Sequence, residues 1–364
     1  MTTHEKYQEI AHAFCPVFAQ KVDDDWPAAD QIAPIDFAVP GDIHASVKKN
    51  LPELVRRSAI NKKFIIENPK VYYSVCETRT HYFLIYAVYH PLDWWKYIDQ
   101  AFLDDPVSWI RAQFDEHVHD MEGALLVVTK DIPESVKASG AKYGLVDALI
   151  TISHTHLLIY ANPVIWDTKA GKFKPHPLPY RKIVSFQPAL GRDRVDFRSL
   201  DLNTCGLTGN ILIDETTDRV KLYVEARGHG IRGDRDSWNV GDREWWYNVA
   251  TFKDRFKNSP NPEKEKKRYA FFELEDIFTP KTGLWSFRLN EEVFVQGDNG
   301  KWFFASDGYV DSKKRTKRFQ PGKANPPWSW NDDKDMLPAG AIATDPAWFI
   351  QQYAQGWGPV DTSY

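Results

Sequence analysis

Cysteine is scarce in this chain: Cys15, Cys76 and Cys205 are the only three in 364 residues. They are too few and too scattered for a disulfide framework or a thiolate metal site, both of which need paired or clustered spacing. One disulfide with one free thiol is compatible with that count. An excess of either charge is also lacking. Lys and Arg number 46 against 50 Asp and Glu, a net charge of −4, so no global field draws the chain to nucleic acid or an anionic membrane. Partners must be recognised locally, and nucleic acid is not expected among them. No window approaches about 18 uninterrupted apolar residues, so no transmembrane helix is expected. The opening "MTTHEKYQEIAHAF" has neither a basic n-region nor an apolar h-region. With no targeting signal, a cytoplasmic chain is expected, or a secreted one whose leader has been removed. Internal repeats are absent too.

What is present is core-forming material. A hydrophobic content of 43% with 14% aromatics fills a sizeable core, and one large domain over 1–364 is expected. Helical periodicity comes only in short pieces, at 5–14, 44–58, 94–102 and 346–355. Between them lie runs rich in Val, Ile, Tyr and Phe, at 70–78, 81–90, 124–130, 154–163, 219–228 and 267–275. Their irregular spacing predicts a mainly β fold, an antiparallel β-sandwich core over 70–275 with peripheral helices and long loop insertions. Residues 276–364 read as an irregular extension packed on that core. The segments 257–268 and 322–335 are polar or proline-punctuated, and the basic run at 313–318 reads as a solvated loop.

One stretch stands apart. "DEHVHDMEGALLVV", residues 115–128, crowds carboxylates and imidazoles into its first half and then turns apolar. Lacking a helix cap and leading into "ALLVV", it reads as the entrance to a central strand. Strand alternation then sets Asp120 and Glu122 on one face and His119 on the other. Neighbouring carboxylates repel unless a cation lies between them, and a hard divalent ion with oxygen ligands meets that need, joined by an imidazole. The alternative is a solvated acidic turn ahead of a buried strand. Metallo-β-lactamase spacing fails here because Met121 and Glu122 stand where Asp and His are required, and His-Glu-x-x-His is absent.

Two further stretches accompany it: "YAVYHPLD", Tyr86–Asp93, and "EARGHGI", Glu225–Ile231. In this order the three resemble the necrosis-inducing, NPP1-like protein family. Its signature Gly-His-Arg-His-Asp-Trp-Glu corresponds to His117, His119, Asp120 and Glu122. Its upstream Tyr-x-x-Tyr-x-Pro-x-Asp corresponds to Tyr86, Tyr89, Pro91 and Asp93, and its late His-Gly to His229 and Gly230. The resemblance implies a central β-sandwich with one divalent ion at its rim, held by Asp93, His117, Asp120 and Glu122, with His229 near it directly or through water. Mg²⁺ or Ca²⁺ suits such a set best, and Mn²⁺ is compatible. Glu116 and Met121 replace the signature's Gly and Trp. Residues 94–116 are an insertion with the look of an amphipathic lid over the site. "AHAFCPVFAQKVDDDWPAAD" and "NPPWSWNDD" are similar to the broader Vps62-related branch.

Around this set, Arg227, Arg232 and Tyr89 are candidate ligand-binding residues, the arginines for an anionic group. His154 and His156 share a strand face but read as edge residues. The glycines flanking His229 permit a tight turn. Two functions follow. One is metal-dependent recognition of a sugar, phosphate or glycolipid head group, with peripheral membrane contact. The other is a metal-dependent hydrolase or lyase in which His229 or His119, with Glu122, does acid–base work.

Overall fold

The computed structural model describes residues 2–24, 27, 29–34, 66, 68–93, 117–138, 140–153, 156–162, 164–167, 169–175, 209–215, 217–234, 243–249, 267–279, 294–296, 302–304, 308–310, 316–318, 346–347, 350 and 359–361. The side chains of 91–93, 117–120, 152–153, 156–157, 164–166, 173, 175 and 267–269 lie outside the description, as do those of β15–β18 defined below. The expected helices at 44–58 and 94–102, the lid at 94–116 and Cys205 fall outside the described residues.

Helix α1, Thr3–Phe14, opens with a capping box: the Glu5 amide donates to the Thr2 hydroxyl and the Thr2 amide to the Glu5 carboxylate. The strands then follow as β1 Val17–Val22, β2 Lys70–Glu77, β3 His81–Asp93 and β4 His117–Thr129. A short helix α2, Glu134–Ala138, precedes β5 Leu145–Ser153, β6 His156–Ala161, β7 Val164–Asp167 and β8 Lys172–Pro175. Next come β9 Gly209–Asn210, β10 Ile213–Asp214, β11 Arg219–Val224, β12 Ile231–Arg232, β13 Arg243–Val249 and β14 Lys267–Asp276. Hairpins β15 Phe294–Gln296 with β16 Trp302–Phe304, and β17 Gly308–Val310 with β18 Thr316–Arg318, lie in the C-terminal part.

All of the apolar runs singled out in the sequence are strands of one 12-stranded sheet, ordered β10-β11-β1-β13-β14-β2-β3-β4-β5-β6-β9, with β12 paired to β11. The fold is mainly β, as expected. The pairing is mixed, because β1–β11, β13–β14, β14–β2 and β6–β9 are parallel.

The sheet closes on itself. Its two end strands, β9 and β10, are separated only by Ile211 and Leu212. Along this one extended segment the Ile211 amide donates to Ala161 O at 3.0 Å, and the Lys221 amide donates to Leu212 O at 2.9 Å. Closure removes the exposed edges that invite aggregation. The curl brings β12 against β4 and β5, so two layers face each other as in a sandwich.

The interior is lined by alternate residues: Leu84, Tyr86 and Val88 from β3, Ala124, Leu126 and Val128 from β4, Val220, Leu222 and Val224 from β11, and Trp245, Tyr247 and Val249 from β13. At one end α1 packs Tyr7, Ile10 and Ala11 into this core. The Tyr86 hydroxyl donates to Ala11 O at 2.8 Å, and the Arg219 guanidinium caps the helix by donating to His12 O at 2.9 Å and Cys15 O at 2.6 Å. Glu77 accepts from the Lys6 ammonium at 2.6 Å, from the Tyr7 hydroxyl at 3.1 Å and from Lys130. Cys15 and Cys76 are buried free thiols, and burial pushes the Cys15 thiol up to about 12.

Two expectations follow. A Cβ on Gly144, at φ +137, would lie 2.1 Å from the backbone oxygen of Thr129, whereas Gly140, at φ +122, faces open space. Gly144→Ala should therefore destabilise by more than about 2 kcal/mol and Gly140→Ala by about 1 kcal/mol, read by urea unfolding. Burial pushes the Glu77 carboxyl up, but the bonds from Lys130 and Lys6 outweigh it and hold it below its ordinary 4.5. The stability it contributes is present above that value and is lost as pH falls through the depressed one. Glu77→Gln should cost about 1–3 kcal/mol at neutral pH and flatten the acid limb of the stability profile.

Candidate functional site

At the end of the sheet opposite α1, polar side chains replace apolar ones. Gln20 and Asp23 come from the end of β1, Asp30 and Gln31 from the segment that follows it, and His90 from the end of β3. Glu225 and His229 come from the turn joining β11 to β12, and all seven are buried. The segment 29–34 is held on β3 by the Ala33 amide donating to Tyr89 O at 2.9 Å.

The Asp30 carboxylate organises this end. It accepts from the Asp23 amide at 2.7 Å and the Arg227 amide at 2.7 Å, and it lies 3.3 Å from His229 Nε2. Since a carboxylate accepts, the His229 proton is assigned to Nε2. Arg227 and His229 both adopt left-handed backbone, at φ 72 and φ 49. That conformation is unfavourable for residues with a Cβ and persists where surrounding bonds over-determine it, as Asp30 does here.

His229 is fully buried, and its ring stacks on that of His90 with centroids 3.8 Å apart and planes 4° apart. His90 Nε2 lies 2.9 Å from Gln20 Oε1. Burial, reinforced by the charge of His229, holds the His90 imidazole well below its ordinary 6.5. Its Nδ1 is buried and has no hydrogen-bond partner among the described residues.

The β3–β4 register locates the predicted metal residues. His90 pairs with Asp120, Val88 with Glu122, Leu92 with Val118 and Asp93 with His117. Residues 117–122 of this stretch are therefore part of β4 itself, not a turn ahead of it; 115 and 116 lie outside the described residues. By alternation Asp120 and Glu122 occupy core-facing positions beside His90, whereas Asp93, His117 and His119 occupy positions on the other face. His229 stacks on His90, whose register partner is Asp120, so backbone positions from the three sequence stretches lie at one end of the sheet.

Tyr89 is buried on the face opposite His90, and Tyr86 belongs to the core. The half-buried arginines bond to carboxylates: Arg227 Nε donates to Asp23 at 3.1 Å, and Arg232 Nε donates to Glu225 at 2.8 Å. His156 pairs with Ser153, and His154 lies outside the described residues. Among the described residues no group of three or more His, Cys, Asp or Glu is set to hold a metal. The carboxylates of Asp93 and Asp120 are not among the described side chains.

Sequence reasoning missed Gln20, Asp30 and His90. His90 sits inside "YAVYHPLD" at a position the motif leaves variable, and Asp30 ends the acidic run "VDDDWPAAD". Gln20 carries no signal.

No protein-family model matches the chain, and no curated protein does. It is similar to solved structures of necrosis-inducing type. Necrosis and Ethylene inducing Protein 2, from the causal agent of cocoa's Witches Broom disease, is 14% identical over 64% of this chain and 69% of that one, with a TM-score of 0.25. A structure described as a toxin fold for microbial attack and plant defense is 13% identical over 63% and 68%, TM-score 0.25. The non-toxic HaNLP3 protein is 13% identical over 66% and 74%, TM-score 0.26.

Proposed function

We propose that the protein is a divalent-cation-dependent recognition module that docks a sugar or phosphate head group, as on a glycolipid, at the polar end of the closed sheet. The observation that carries this reading is the His229 ring stacked 3.8 Å over His90, the register partner of Asp120. Three stretches distant in sequence meet there, as residues serving one ion must.

The spacing of the carboxylates on β4 supports such an ion. Asp120 and Glu122 are two apart on one strand and share a face, so their repulsion is relieved by a cation. The unpartnered buried nitrogen of His90 at the same level marks a place that takes up a further group. When bound, the ion would supply a Lewis-acidic docking point for hydroxyl or phosphate oxygens. The chain's own part is to hold the carboxylates in register and to keep His229 fixed against Asp30.

The hydrolase or lyase reading asks His229 or His119 to exchange a proton with a substrate. A His229 that is fully buried and bonded to Asp30 supports holding over turnover. A head group borne by a lipid would bring the protein to a membrane surface without a spanning helix; no described helix is long and apolar enough to cross.

Calorimetric titration of the chelator-treated protein with Mg²⁺, Ca²⁺ and Mn²⁺ tests the site. Asp120→Asn keeps the shape and removes the charge, and should weaken every ion by at least about tenfold. Asp93→Asn decides whether the pair on the opposite face joins the same ion. Unchanged affinity in Asp120→Asn would make residues 117–122 an acidic strand end with no ion.

A further inference from the structure

The amide of Gln20 has one orientation open to it. Its Nε2 donates to the main-chain oxygen of Glu225 at 3.0 Å and to that of Lys21 at 2.8 Å. The flipped amide would press an oxygen against two carbonyl oxygens. Gln20 Oε1 therefore faces His90 Nε2, 2.9 Å away. An amide oxygen only accepts, so Nε2 of His90 carries the hydrogen, and Nδ1 of the neutral ring is a bare lone pair. A flip of the ring would put Cε1 where Nε2 meets Gln20 Oε1, and stacking on His229 holds the ring plane, so the direction of that lone pair is fixed.

The result is a lone pair that is buried, fixed in direction and without a donor among the described residues. Left so, it carries an uncompensated desolvation cost. A metal-binding imidazole has this preparation: its second nitrogen is engaged by an oxygen acceptor that fixes tautomer and ring plane. His90 lies directly opposite Asp120 and on the face of Glu122. Cβ atoms of such cross-strand partners are about 4.5–5.5 Å apart, close enough to share one ion.

We infer that His90 Nδ1 is a nitrogen ligand of the cation, oriented by Gln20, and that it shifts the site from Mg²⁺ and Ca²⁺ toward first-row transition ions, of which Mn²⁺ is the paramagnetic probe. This rests on the reading that Asp120 and Glu122 hold a cation. Two carboxylates alone suit the hard ions, whereas an imidazole adds most to the transition series.

The experiment uses the full chain stripped by chelator, with Mn²⁺, Mg²⁺ and Ca²⁺ titrated separately and the electron spin echo of bound Mn²⁺ recorded for nitrogen modulation. Wild type should bind Mn²⁺ about tenfold or more tighter than Ca²⁺, with a nitrogen coupling. His90→Phe keeps a ring to stack on His229, and should lose the coupling and weaken Mn²⁺ more than Ca²⁺, so that the Mn²⁺ preference disappears. Gln20→Leu should keep Ca²⁺ binding and weaken Mn²⁺ by about 10–100-fold. Nitrogen coupling that persists in His90→Phe overturns the assignment, as does Mn²⁺ binding no tighter than Ca²⁺ in wild type. Should His90→Phe fail to fold, the wild-type echo and Gln20→Leu decide alone: absent coupling, or unchanged Mn²⁺ affinity, overturns it. Ion binding that needs Asp120 but shows no nitrogen leaves the recognition site standing and removes only this assignment. Binding of no ion at all removes both.

Discussion

The closure of the sheet by Gly209–Asp214 is the constraint on which the rest depends. One extended segment pairs with β6 at its start and β11 at its end, so the strand order forms a ring with a set circumference. A ring has an inside and two ends. The inside is filled by alternate side chains of the longer strands, and one end is filled by α1, whose cap carbonyls are bonded by Arg219. The other end has no helix among the described residues, and the polar cluster lies there. Had the sheet stayed open, β11 and its turn would have no reason to cross the core, and His229 would not meet His90. The crossing is tight: a Cβ on Gly233, just after β12, would come within 2.8 Å of the Tyr160 ring.

Burying Asp23, Asp30 and Glu225 is costly unless each is paired and hydrogen-bonded. Here the charges are matched locally. Arg227 bonds Asp23, Arg232 bonds Glu225, and Asp30 receives two backbone amides and His229. Such a network is worth more complete than in parts, because each unpaired member would carry its full desolvation cost. It also explains why Arg227 and His229 tolerate left-handed backbone. The arginines that sequence reasoning offered to an anionic ligand are thereby engaged in holding the turn.

Much of the fold was legible because apolar β-runs announce themselves. The runs at 70–78, 81–90 and 267–275 correspond closely to β2, β3 and β14. β1, β5 and β13 went unread: "VFAQKV" is short and polar at its centre, "LVDALITIS" carries Asp147, and "REWWYNV" is flanked by charge. Parallel pairing was not legible either. It arises when the ring closes around non-adjacent segments, and no local pattern encodes which strand lies beside which. For the site, the motif residues were visible by type and spacing. Gln20 and Asp30 were not, since their roles come from contacts across some 200 residues of chain, as when Gln20 meets the Glu225 carbonyl.

The crowding of charge against a run built for burial in "DEHVHDMEGALLVV" also has its reason in the ring. A strand of a flat sandwich is amphipathic across its width, polar on one face and apolar on the other along its whole length. β4 changes character along its length instead. Its core-facing positions run Asp120, Glu122, Ala124, Leu126, Val128, from the polar end toward the interior. Its partner β3 does the same in the opposite direction, from Leu84, Tyr86 and Val88 to His90. The two gradients coincide because the strands are antiparallel and in unbroken register from His81–Thr129 to Asp93–His117. A one-residue slip would carry Asp120 and Glu122 to the other face and set Met121 beside His90. The long apolar half of each strand is thus what holds the polar half in place, since packing of Leu126 and Val128 fixes the register that brings Asp120 to His90.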